Sequence, residues 1–103
     1  MIKVIVGYEL KEGADIQPTL LKLRSYALTF PGFISAEHIR SVKSPSIVAL
    51  LYNWEKLADW GEAWESSKIS RQIMKEAEEF LASEPRITAY TMMPTSAWTH
   101  SSM

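Results

Sequence analysis

A chain of 103 residues with 47% hydrophobic residues and a formal charge of -1 has the composition of one ordinary globular domain. Its lysines and arginines are scattered rather than gathered in a stripe, which argues against a nucleic-acid partner. It has no cysteine, which excludes a disulfide framework and a thiolate metal site, and no apolar run approaches membrane-spanning length. Met1 leads straight into a strand pattern rather than a leader, so a cytoplasmic protein with no membrane partner is expected.

Ile2, Val4, Val6, Tyr8 and Leu10 alternate, which predicts a strand with one buried face. Glu12-Gly13-Ala14-Asp15 is a turn, and Asp15 is placed to cap a helix. Ile16, Leu20, Leu23, Ala27 and Phe30 recur at helical spacing, with Pro18 tolerated in the first turn. Pro31-Gly32 ends that helix. A second strand is predicted from Phe33 to Val42, with neither face cleanly apolar. After the turn Lys43-Ser44-Pro45-Ser46, a third strand runs from Ile47 to Trp54, antiparallel to the second because the connection is short. Both of its faces are apolar, so both are expected to be covered.

Three of the four tryptophans fall between Trp54 and Trp64. Trp60 and Trp64 are one helical turn apart, and Leu57 is expected on the same face. A second stripe runs through Ile69, Ile73, Ala77 and Phe80, flanked by Met74 and Leu81. The two stripes are out of register across Ser66-Ser67, which predicts two short helices, the second capped by a serine hydroxyl. Two helices meeting at an angle cannot seal a sheet as one straight helix does, so a pocket is expected beneath the break. Arg86 to Met93 is a fourth strand, and the tail from Pro94 to Met103 is polar apart from Trp98 and is expected to be mobile.

The predicted order is β-α-β-β-α-β: an α+β, ferredoxin-like domain over residues 1–93 with a four-stranded antiparallel sheet. Two helices cover one face of such a sheet. The doubly apolar third strand asks for cover on the other, and a second copy of the sheet, in a homodimer, is the economical source.

Pro31-Gly32-Phe33 after the first helix, a strand ending in Trp54, and then Trp60 and Trp64 together resemble the antibiotic biosynthesis monooxygenase family. The resemblance covers most of residues 1–93. It implies a dimeric α+β barrel. Some members of that superfamily oxidise polycyclic aromatic molecules with molecular oxygen and no metal or flavin, whereas others degrade haem or isomerise small metabolites. The haem-degrading branch carries an asparagine, a tryptophan and a histidine. Here the tryptophan matches Trp64, but Val6 stands near the asparagine position and Met74 at the histidine position. Haem degradation is therefore not expected, and neither is a metal or another cofactor.

What remains is an aromatic cage and a base. Trp60, Trp64, Tyr8 and Tyr52, with Val6 and Met74, are the candidate substrate-binding residues. His38, the only histidine inside a predicted element, is the candidate proton acceptor. Taken with the resemblance, they imply a cofactor-independent monooxygenase acting on a small aromatic or quinone-type molecule. A ligand-binding or regulatory dimer without turnover, or a small-metabolite isomerase, are the alternatives. Nothing in the chain forms a hydrolytic triad or a glycine-rich phosphate loop.

Overall fold

The computed structural model describes residues 1–93; the tail, with Trp98 and His100, lies outside the described residues. Its elements are β1 (Ile2–Glu9), α1 (Gln17–Ala27), β2 (Phe33–Arg40), β3 (Ile47–Trp54), a π-helix (Asp59–Trp64), α2 (Lys68–Glu78) and β4 (Arg86–Thr91). The strands form one antiparallel sheet in the order β2-β3-β1-β4. This is the expected ferredoxin-like arrangement.

Register assigns every strand residue to a face. Val4 pairs with Tyr52 and Ala89, and Val6 with Leu50 and Ile87. Val4, Val6, Leu50 and Tyr52, with Tyr8, Val48 and Trp54, face the helices and form the core with Leu20, Leu23 and Ala27 of α1 and Ile73 and Ala77 of α2, while Ile87 and Ala89 of β4 share that face but stay exposed. The opposite face carries Ile5, Leu51, Ile39, Ile47 and Tyr90. Ile39, Ile47 and Tyr90 are exposed, at 51%, 41% and 52%, so an apolar sheet face stands uncovered within the chain.

Several local expectations are corrected. Asp15 is not the N-cap of α1; Ile16 holds that position, while the Asp15 carboxylate accepts from the Gln17 amide at 3.2 Å. Phe30 lies past the end of α1, because the helix finishes at Ala27 in a tight turn with Phe30 N–H bonded to the Ala27 carbonyl. Leu57 and Ile69 are exposed, at 59% and 52%. The buried face of α2 is centred on Ser70, Ile73 and Ala77. Ser70 takes a fully buried place because its hydroxyl donates within the turn, 2.6 Å from the Trp64 carbonyl oxygen and 3.0 Å from that of Ser67. A polar residue with its hydrogen bonds made inside the chain is as buriable as an apolar one, which hydrophobic periodicity does not register. β2 and β4 each end two residues earlier than expected.

Candidate active site

The break at Ser66-Ser67 divides two helices of different kind. The first ends as a π-helix, whose widened turn is closed by the Glu65 amide donating to the Trp60 carbonyl at 2.8 Å. Ser67 then caps α2, its hydroxyl accepting from the Ser70 amide at 3.4 Å. The π-helix starts under control of Asp59, whose carboxylate accepts from the Lys56 amide at 3.0 Å, a reach back to the first turn. Tyr26 of α1 fixes the far side through a hydroxyl–hydroxyl bond of 3.2 Å to Ser67.

This arrangement sets Trp64 into the core and Trp60 half-buried above it. Trp64 is packed by Phe30 at a ring distance of 5.1 Å, edge to face, by Trp54 at 5.5 Å, by Tyr26 at 5.8 Å and by Tyr52 at 6.4 Å. Between these rings and the sheet is a cavity lined by Val4, Val6, Tyr8, Leu23, Leu50, Tyr52, Trp54, Trp60, Trp64, Glu65, Met74 and Ile87. Val6, Tyr8, Tyr52, Trp60, Trp64 and Met74 are thus brought together around one space. Counted out to its open mouth, that space is about 360 Å³, but only about 20 Å³ admits the centre of a water-sized sphere. The smaller figure decides what enters without movement: about one water. Anything larger must displace lining side chains that are not fully packed: Trp60, Glu65 and Met74, which are half-buried, or Ile87, which is exposed.

His38 is not in this lining. It faces the helices from β2, paired with Leu50, and lines a shallow groove with Ile16, Gln17, Leu20, Ile39, Arg40 and Val48. It reaches the cavity through one neighbour. Its Nε2 lies 3.1 Å from the Tyr52 hydroxyl, and the two rings stack at 5.8 Å. Burial, with a smaller contribution from Arg24, lowers the His38 pKa, so its neutral form is favoured. Burial pushes Tyr8 up to about 12, helped by the nearby Glu78 carboxylate. Burial likewise raises Tyr52, with Tyr8 adding to the effect and Arg24 opposing it. Both phenols are therefore hydrogen-bonding groups, not phenolates, near neutral pH.

Two features of the site were not singled out by sequence reasoning. One is Glu65, the only carboxylate in the lining; burial raises its pKa, and Arg71 partly opposes this. Its signal was position, directly after Trp64 at the register break. The other is Trp54, wholly buried, whose indole N–H has no acceptor among the described residues. Asn53 of β3 is buried and donates to the Ser35 hydroxyl at 3.0 Å. Among the described residues no group of three or more histidines, aspartates or glutamates is placed to hold a metal ion, and no helix is long and apolar enough to cross a membrane.

No family model matches the sequence, and no match to a curated protein was found. Solved structures do match the fold. SnoaB, a cofactor-independent oxygenase from Streptomyces nogalater, superposes with a TM-score of 0.80 at 11% identity, over 92% of this chain and 95% of its own. A Bordetella bronchiseptica protein named as an antibiotic biosynthesis monooxygenase gives 0.79 at 19% identity, over 90% and 97%. A conserved protein from Methanosarcina mazei Go1 gives 0.80 at 19% identity, over 89% and 92%. With its βαββαβ order, its single antiparallel sheet and these neighbours, the chain has the fold of the antibiotic biosynthesis monooxygenases.

Proposed function

We propose that the protein is a monooxygenase that uses no metal, haem or flavin and oxidises a small aromatic or quinone-type molecule in the cavity under Trp60 and Trp64. The supporting observation is the lining itself: tryptophan, tyrosine and aliphatic residues with Glu65 as the one acidic residue among them. Such walls stack an aromatic ring, exclude water and leave few groups to interfere with a reduced substrate. The fold shared with a cofactor-independent oxygenase supports the same chemistry. The substrate loses a proton to become an electron donor, passes an electron to molecular oxygen, and recombines with the reduced oxygen as a hydroperoxide, whose O–O bond then breaks with loss of water to leave one oxygen atom on the product. The test is oxygen consumption against a panel of hydroquinones and anthrones, with tryptophan fluorescence reporting binding. Quenching by ligands with no oxygen consumed would replace this function with the second one: a binding or regulatory dimer. That second function is favoured by the small free space of the cavity as folded.

His38 enters this proposal as the partner that orients the Tyr52 hydroxyl, not as a base in contact with substrate. His38→Ala is expected to spare ligand binding and lower turnover about 3- to 10-fold, the equivalent of one hydrogen bond. In a Tyr52→Phe background the same substitution should change nothing further. A loss of about 10²-fold or more, the scale of a general base, would return His38 to the direct role.

The uncovered sheet face supports a homodimer joined sheet to sheet. A stable interface of this kind buries about 1,200 Å² or more in total, and Ile5, Ile39, Ile47, Leu51 and Tyr90 supply its apolar centre. Sedimentation at micromolar concentration should give a species near twice 11.7 kDa. A clean monomer there would remove the barrel from the proposal.

A further inference from the structure

The groove beside His38 has features for which the aromatic cavity has no use. It holds about 260 Å³ for the centre of a water-sized sphere, against about 20 Å³ in the cavity, so a small ligand enters without displacing a side chain. Its lining contains no carboxylate. Arg40 lines it from β2 and Gln17 from α1, and Arg24, one turn beyond Leu20, continues the α1 wall. The Arg24 guanidinium is close enough to act on the charge of both His38 and Tyr52. Among the described residues no ion pair or side-chain hydrogen bond engages Arg24 or Arg40. Two acids adjoin the lining in sequence. Asp15 is held on the Gln17 amide, and Glu37 belongs to the opposite face of the sheet, beside Leu51.

The strand edge adds donors of its own. β2 is an edge strand, paired only with β3 among the described residues. The Ser41 amide donates to the Ile47 carbonyl at 2.9 Å, so by alternation the amides of Glu37 and Ile39 turn to β3 and those of His38 and Arg40 turn outward. Their carbonyls turn out with them, so the backbone edge is neutral and the arginines give the groove its sign. His38 presents one ring nitrogen. Its Nε2 is engaged by the Tyr52 hydroxyl at 3.1 Å, which leaves Nδ1 for a ligand.

We propose that this groove is a second binding site, for a small oxyanion, held by Arg40 and Arg24 with the His38 imidazole as the third donor. Carboxylate, phosphate and sulfate share the chemistry: paired oxygens bearing negative charge, which accept from a guanidinium two at a time. Arg24 opposes protonation of His38, and an anion beside them offsets that opposition. Binding therefore draws a proton from solvent onto His38. An imidazolium donates from both nitrogens, so the Tyr52 oxygen must accept from Nε2 and the phenol hydrogen turns away from His38. Occupancy of the groove thereby sets the direction of one hydroxyl in the aromatic cavity.

The experiment follows the His38 Cε1–H resonance, assigned with His38→Gln, while sulfate, phosphate or acetate is added and chloride holds the ionic strength constant. A saturating shift is expected with a Kd of about 1 mM, the strength of two or three charge-assisted hydrogen bonds. Arg40→Gln and Arg24→Gln should each weaken it about tenfold. Both side chains are exposed, so neither change threatens the fold. Sulfate stays a dianion while His38 titrates and so isolates the proton linkage. By calorimetry it should bind more tightly at about pH 5.5 than at about pH 8, and that difference should vanish in His38→Gln. Saturation by phosphate and sulfate but not acetate upholds the site for phosphate-bearing ligands, and the reverse upholds it for carboxylates. A shift that never saturates, or one unchanged by Arg40→Gln, overturns the site. Sulfate binding independent of pH in wild type overturns the part given to His38. No readout uses oxygen or turnover, so failure here leaves the monooxygenase standing, and failure of the monooxygenase leaves this site standing.

Discussion

Trp64→Ala should unfold this domain more readily than any other single aromatic truncation in the helical layer. Trp64 is 4% exposed and touches four other rings from α1, β3 and the turn after α1. Removing a buried indole typically costs about 3–5 kcal/mol, as lost transfer energy plus the cavity left behind. Domains of this size have about 5–15 kcal/mol in total. The midpoint of thermal unfolding should fall by about 15–30 °C. Trp64→Phe should recover more than half of that, because Phe30 and Tyr26 can still pack an edge-to-face ring. Urea titration followed by circular dichroism measures both. A loss under about 1 kcal/mol would mean the ring does not sit in the packed cluster. The consequence for function is practical: Trp64→Ala confounds binding with folding. Trp60→Ala, at the half-buried rim, is the variant that isolates the ligand contact.

Gly32→Ala should be clearly destabilising although the site touches no substrate. Gly32 has φ of +82°, where a side chain costs about 1–2 kcal/mol. A Cβ there would also overlap the Asp59 carboxylate. That carboxylate is not free to swing away, because it accepts from the Lys56 amide and starts the helix that carries Trp60 and Trp64. Losing such a cap costs about 0.5–2 kcal/mol. The combined loss should be about 2–3 kcal/mol, read from the denaturation midpoint. In an Asp59→Ala background the overlap disappears, so Gly32→Ala should then cost only the backbone term. Equal losses in both backgrounds would show that Asp59 is not pressed by the new methyl group. Because Gly32 also accepts the Glu55 amide at 2.8 Å, the loop before β2 is tied directly to the entry of the π-helix. The glycine that ends one helix region thus sets the position of the tryptophans on the next.

The amino-acid sequence by itself determined the strands, their order and the fold. Alternation in Ile2 to Leu10 and in Ile47 to Trp54 is a local signal, and the observed β1 and β3 bury the expected residues, Val4, Val6, Tyr8 and Val48, Leu50, Tyr52, Trp54. The helical break and the serine cap were equally local, since a register slip and a hydroxyl at one position need no distant partner. Periodicity failed where burial is decided by polar partners. Ser70 displaced Ile69 from the core because two carbonyls accept its hydroxyl, and those carbonyls are positioned by the turn, not by the stripe. Pairing across the sheet settled what no single strand states. His38 and Tyr52 are 14 residues apart, and only the β2–β3 register stacks one on the other and leaves the imidazole behind the phenol, outside the cavity lining. Glu65 and Trp54 likewise line one cavity although they stand on different elements. Chemical roles in this fold are set by which groups share one small enclosed space, and that is a property of packing between elements rather than of any one of them.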